Sequence, residues 1–312
     1  MAEMARAGWA RAAQWVAGLA IVVFAARSLV RNWEQLRSQP LAWQVDPPTL
    51  LLSAAVVWLM YALLIVAWRT MLASWGQQLD GWTAARIWTV SSLGKYLPGK
   101  VWAVAGMALM SQRAGIAPWA ATGSAVVLQV LAIGCGAAIA GLTGRRVLES
   151  AHPGAGTVLI VLVAGAAVGV ALLLWPPFLR RLLQLAAPGA EAREAPRRFG
   201  IVFGVVANLT AWLGYGAALW LLARGLLPSA GLSFGLAVAV FTASYLAGFL
   251  ALFAPGGLGV REGLFILMLQ GPLGIGAATA LAVASRVLLT ITEFGAAAPF
   301  LVLPLGRPRV AR

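Results

Sequence analysis

Six ionisable side chains stand in stretches otherwise too apolar to hold them: Lys95, Lys100, Arg261, Glu262, Arg286 and Glu293. Lys95 and Lys100 bracket a helix-breaking run in "SSLGKYLPGKVW" (residues 91–102). Arg261 and Glu262 follow a second such run in "APGGLGVREG" (residues 254–263). A charge at the centre of a bilayer costs at least ~2.5–3.5 kcal/mol on insertion scales, so each of these needs a partner, a wet cavity or a function. Arg286 and Glu293 are seven residues apart, two helical turns, which puts them on one face with about 10 Å between them. Lys95, Lys100, Arg261 and Arg286 are cationic, and a cavity lined in this way suits a phosphate-bearing ligand. A helix that restarts after Pro-Gly or Gly-Gly adds free backbone N–H groups and the positive end of its dipole.

The residues expected to contact such a ligand come from three places. The first run supplies Lys95, Tyr96, Pro98, Gly99, Lys100 and Trp102, and the second Pro255, Gly256, Gly257, Gly259, Arg261 and Glu262. The last apolar segment adds Arg286 and Glu293. Lys95, Lys100, Arg286 and the helix starts at Gly99 and Gly256 would hold the phosphate, with Glu262 and Glu293 pairing with these cations in its absence. Gly256 and Gly257 would let the backbone turn and a phosphate approach. Glu262 is the candidate if transport is coupled to protons. Plainer roles stand beside these. The lysines could snorkel to a surface, Glu262–Arg286 or Arg261–Glu293 could be structural ion pairs, and Tyr96 and Trp102 could belong to an interfacial aromatic belt.

The elements that must position these groups are membrane helices. Hydrophobic residues make up 61% of the 312 and charged residues 10%, far from the balance of a soluble domain and right for an all-α polytopic membrane protein. Segments meeting the ~20-residue spanning criterion run over about 9–30, 49–69, 117–142, 155–175, 199–223 and 275–303. The first is expected to be an uncleaved span, because no small-x-small cleavage site follows it. Two regions, 82–112 and 232–270, are apolar but interrupted by Pro and Gly. In order the chain reads span, span, broken segment, span, twice over, with an offset of roughly 145–160 residues between corresponding parts. The expected architecture is therefore a single transmembrane domain over 1–312 with two inverted repeats, about 9–142 and 155–303. Each has three spans and one broken, re-entrant helical hairpin. The alternative is that 232–253 crosses completely and "APGGLGVREG" is an interfacial loop.

Net charge is +14, from 23 Lys and Arg against 9 Asp and Glu. Most of the arginines flank apolar segments, the place for topology-setting and lipid-facing charge, so a nucleic-acid partner is not expected. With both termini cytoplasmic, the 176–198 loop (Arg180, Arg181, Arg193, Arg197, Arg198) and the tail (Arg307, Arg309, Arg312) lie on the positive side of the inner membrane. Cys135 sits in an apolar run and reads as packing. His152 has no ligand partners nearby, so neither a metal nor a cofactor is expected. The sequence carries no nucleophile–base constellation, and a transporter is expected rather than an enzyme. The alternative is a membrane enzyme or accessory subunit acting on polyprenyl-phosphate-linked sugars or envelope lipids.

"GKYLPGKVW" (residues 94–102) and "APGGLGVREG" together resemble the paired signatures of the lysylphosphatidylglycerol synthase transmembrane-domain family, which includes the flippase half of the multiple-peptide-resistance factor. The Pro-Gly-Gly-x-Gly-x-x-Glu pattern is Pro255, Gly256, Gly257, Gly259 and Glu262 here. The first motif departs from the commoner form, in which Pro-Gly is followed by a small residue and then Arg. In this chain Lys100, Val101 and Trp102 follow. The resemblance implies a stand-alone member without the soluble aminoacyl-transferase domain, which moves an anionic or aminoacylated lipid between leaflets. The partner expected is a phospholipid or a polyprenyl-phosphate lipid in the membrane, with a homodimer as the candidate assembly.

Overall fold

The computed structural model describes residues 43–96, 101–151, 197–251 and 254–302, with a few positions between 164 and 181. The expected first span, most of 155–175 and of the 176–198 loop, Pro98, Gly99, Lys100 and both termini lie outside the described residues. Among the described residues all regular structure is helical, and four helices are long and apolar enough to cross a membrane. The protein is a multi-pass membrane protein.

Helix α1 (Pro47–Ala73) begins with Pro at its first position, where the missing N–H costs nothing. A chain reversal containing Gly76 at φ 71° separates it from α2 (Gly81–Ser92). Asp80 caps α2 by accepting from the Thr83 backbone N–H at 3.0 Å. A 3-10 turn, Leu93–Tyr96, ends this arm. The chain resumes as α3 (Val101–Arg113) and α4 (Pro118–Ala151). The second half opens with α5 (Arg198–Leu226), followed by α6 (Phe234–Leu250), a 3-10 turn Pro255–Gly257, and α7 (Val260–Val302). Inside α7, Gly274 has φ 79° and ψ 157°, a backbone only glycine takes readily, so the helix is two segments joined at the "QGPLG" signal. At 17 residues α6 is about 25 Å long, short of a ~30 Å hydrocarbon core.

The most extensive helix contact pairs α1 with α5, and their contacts run in opposite directions. Asp46 N–H donates to the Gly225 carbonyl at 3.0 Å, Ser53 Oγ donates to the Ala218 carbonyl at 2.7 Å, and Gly200 lies against Ser74. The loop after α1 and the loop after α5 therefore lie at opposite ends of this pair. Helix α6 packs on α4, α5 and α7. Trp212 of α5 lies over Gly136 of α4, where a Cβ would be 2.8 Å from the indole, and donates its N–H to the Ala132 carbonyl at 2.9 Å. Two buried clusters result, one around Trp68, Met71, Ile87 and Leu131, the other around Phe241, Phe265, Leu269 and Leu281. Large apolar side chains such as Leu51, Leu59, Phe199, Val206 and Ile291 stay exposed on the outer faces, as lipid-facing positions require.

Candidate lipid head-group site

The two interrupted segments meet. Gly94, in the first 3-10 turn, lies so close to the start of α3 that a Cβ would be 2.7 Å from the Ala103 nitrogen, so the arms of this hairpin close tightly. That closure carries Lys95 and Tyr96 against α7 and the second break. Gly256 has φ 56°, and a Cβ there would lie 3.0 Å from Arg286 Nη2, 3.8 Å from the Tyr96 ring and 3.9 Å from the Lys95 carbonyl oxygen. A larger residue there would have to hold a left-handed backbone and push the Arg286 guanidinium aside.

Glu293 is the centre of the first part of the site. It is 8% exposed, and Lys95 Nζ forms an ion pair with its Oε1. Tyr96 Oη donates to Oε2 at 2.6 Å, and Tyr61 Oη, from the middle of α1, donates to Oε1 at 3.2 Å. Trp58, one turn before Tyr61, donates its indole N–H to the Thr292 carbonyl at 3.0 Å and fixes α1 against α7. Aromatic contacts continue inward: Tyr61 meets Tyr215 edge-on, Tyr215 stacks on Phe241 and Phe241 on Tyr245. Lys95 also lies 5.5 Å from the centre of the Tyr96 ring.

The second part is built on the start of α7. Arg286 Nη1 donates to the Gly256 carbonyl at 2.8 Å and approaches Glu262 Oε1 at 3.5 Å. The other oxygen of Glu262 accepts the backbone N–H of Gly259 at 2.8 Å. Gly259 precedes the helix and Glu262 is its third residue, the reaching-back half of a capping box. Arg261 points elsewhere. It is 5% exposed, donates Nη2 to Ser285 Oγ at 2.9 Å, and faces the rings of Phe241 and Tyr245 at 5.4 and 5.6 Å.

The structure thus gathers Lys95, Tyr96, Gly256, Gly257, Gly259, Arg261, Glu262, Arg286 and Glu293 around two turns of α7. Trp102 is half exposed on the first turn of α3. Pro255 belongs to the 3-10 turn of the second break, and Pro98, Gly99 and Lys100 fall outside the described residues. Of the two ion pairs offered as plainer roles, Glu262–Arg286 forms, and Arg261–Glu293 does not, because Lys95 holds Glu293 and Ser285 holds Arg261. Gly257 takes the positive φ (70°) that the expected turn needs, and its bare Cα also admits α6, since a Cβ would lie 2.8 Å from Gly248 Cα. The backbone N–H groups of the second break are also partly engaged, that of Gly257 by the Ala254 carbonyl at 3.0 Å and that of Gly259 by Glu262.

Sequence reasoning missed Tyr61, Tyr215 and Tyr245. The signal was present: the chain has only four tyrosines, and these three fall inside apolar helices and not at the helix ends where an interfacial belt would place them.

No curated protein matches this sequence. The family described as "Lysylphosphatidylglycerol synthase TM region" matches residues 13–292. That match covers both interrupted segments, the three tyrosine-bearing helices, and Lys95, Arg261, Glu262 and Arg286, and it ends one residue before Glu293. The chain belongs to the lysylphosphatidylglycerol synthase transmembrane-region family.

Proposed function

We propose that the protein translocates a phosphate-bearing lipid, a phospholipid or a polyprenyl phosphate, between the leaflets of the cytoplasmic membrane, and that it does so as a transporter and not as an enzyme. The observation that carries this reading is the meeting of the two broken segments at Gly256. There Arg286, the Lys95 backbone and the Tyr96 ring converge beside two part-buried acid–base pairs. Interrupted backbone at membrane depth persists where it is buried in protein or lines a wet cavity, and paired interruptions in two halves are the usual position of a transported substrate. Lys95 and Arg286 are the cations that take the phosphate, and Glu293 and Glu262 hold them in its absence. Family membership supports a role tied to membrane lipids.

The two halves form inverted repeats in this reading, with the breaks opening toward opposite faces and both termini cytoplasmic. Support comes from the antiparallel packing of α1 and α5, the corresponding first described helices of each half. The shortness of α2 and α6 favours hairpins that return to the face they entered.

Purified protein in liposomes, assayed with acyl-labelled fluorescent lipids and a membrane-impermeant quencher, tests the proposal. Phosphatidylglycerol is expected to exchange between leaflets faster than in protein-free liposomes, whereas a galactosyl diacylglycerol, which lacks phosphate, stays put. Equal exchange of both lipids, or of neither, contradicts it.

A further inference from the structure

Glu293 is the more buried of the two carboxylates that hold the phosphate-binding cations, 8% exposed against 21% for Glu262. The groups that face Glu293 come from the neighbouring elements: Tyr61 from α1, Lys95 and Tyr96 from the first break, with Tyr215 of α5 behind Tyr61 and Tyr245 of α6 further along the same row of rings. Along α7 itself, Arg286 lies two turns back, with Arg261 and Glu262 beyond. Lys95 is its only salt-bridge partner among the described residues. Arg286 is engaged by Gly256 and Glu262, and Arg261 by Ser285 between two aromatic rings.

We propose that binding of a lipid phosphate at this site is coupled to uptake of one proton by Glu293. The step rests on the reading of Lys95 as a phosphate ligand. When the phosphate draws the Lys95 ammonium away, Glu293 keeps at most two tyrosine hydroxyls in a position that is 8% exposed. An ionised carboxylate left there without a counter-charge is the costliest arrangement available to the site, and taking a proton removes the cost. The charges balance. One Glu293 carboxylate plus one proton gives a neutral acid, Lys95 stays protonated, and the incoming phosphate monoanion is matched by the incoming proton. The net charge of the buried site is therefore unchanged on loading. Glu262 is less suited to this role, because it is 21% exposed and keeps the Gly259 backbone N–H when Arg286 turns to the phosphate. Transport of the anionic lipid then carries a proton with it, which supplies an energy source for net movement.

The test uses the full chain in dodecylmaltoside micelles, which contain no phosphate, titrated with dioctanoyl phosphatidylglycerol in weakly buffered solution with a pH indicator. The phosphodiester does not itself titrate near neutrality, so any proton taken up belongs to the protein. One proton per bound lipid is expected. On the alkaline side of the transition, affinity should weaken about tenfold per pH unit. In Glu293→Gln, lipid should still bind, with no proton uptake and no such slope. Binding to the wild type without proton uptake overturns the coupling while leaving the lipid-phosphate reading intact. So does proton uptake that persists in Glu293→Gln. Failure of the wild type to bind dioctanoyl phosphatidylglycerol at all overturns both.

Discussion

Lys95 and Glu293 lie 198 positions apart in the chain yet form one buried pair, and that each would need a partner was legible beforehand. Charge in an apolar segment is costly, so six such residues announce themselves. Glu262–Arg286 could be named as a candidate pair in advance, but Lys95–Glu293 could not, because it depends on how the first break docks against α7. The glycines illustrate the same division. Their need for positive φ at the second break could be anticipated from Pro-Gly-Gly, but the close neighbour of Gly257 is Gly248, on a different helix. The expected consequence is specific. Gly257→Ala should lower stability by about 1–3 kcal/mol, from left-handed backbone strain plus overlap with Gly248. Gly76→Ala, also at positive φ but with open space around it, should cost only the backbone part. Thermal unfolding of both variants in detergent checks the difference; equal shifts would mean that the α6 contact does not matter.

Helix boundaries were largely readable from apolar length and from Gly/Pro punctuation. The expected spans 49–69 and 199–223 fall inside α1 and α5, 117–142 begins one residue before α4, and the turn at "QGPLG" coincides with the Gly274 break. The cap of α7 could also have been read, since Gly259 and Glu262 have capping-box spacing. The reading of Glu262 as the proton-coupling candidate did not include this capping role. Glutamine caps at this position as well as glutamate, whereas alanine does not. Glu262→Gln should therefore keep α7 anchored and lose only the charge contact to Arg286, while Glu262→Ala should lose both. The prediction is a melting temperature ordered wild type, Gln, Ala from high to low, with the larger step between Gln and Ala. A larger step between wild type and Gln would make the ion pair, and not the cap, the main role.

For the whole molecule, the repeated order of helix, broken segment and helix was visible in the sequence, but the way the halves pack was not. Helices α1 and α5 are apolar over nearly their whole surface, so periodicity marks no inner face. Small residues opposite large ones, Gly214 beside Met60 and Gly225 beside Leu50, decide the contact instead. The antiparallel pair predicts that the loop after α1 and the loop after α5 emerge on opposite sides of the membrane. Single cysteines at the exposed positions Gln78 and Ser229, introduced into a Cys135→Ala background, should be labelled by an impermeant maleimide from opposite faces. Labelling of both from one face contradicts the inverted arrangement.

The central claim, that lipid phosphate crosses the membrane through the junction of the two breaks, is tested most directly by leaflet exchange in proteoliposomes carrying Lys95→Gln or Arg286→Gln. Fluorescent phosphatidylglycerol exchange should fall at least tenfold in each, because each removes a cation that the head group needs in place of water. Folding is controlled by Lys95→Gln/Glu293→Gln, which removes both members of the pair and so avoids the penalty of about 3–5 kcal/mol for leaving one buried charge alone. The double variant should keep near-wild-type melting and still fail to exchange. Exchange at the wild-type rate in a well-folded double variant, or in Arg286→Gln, would contradict the account.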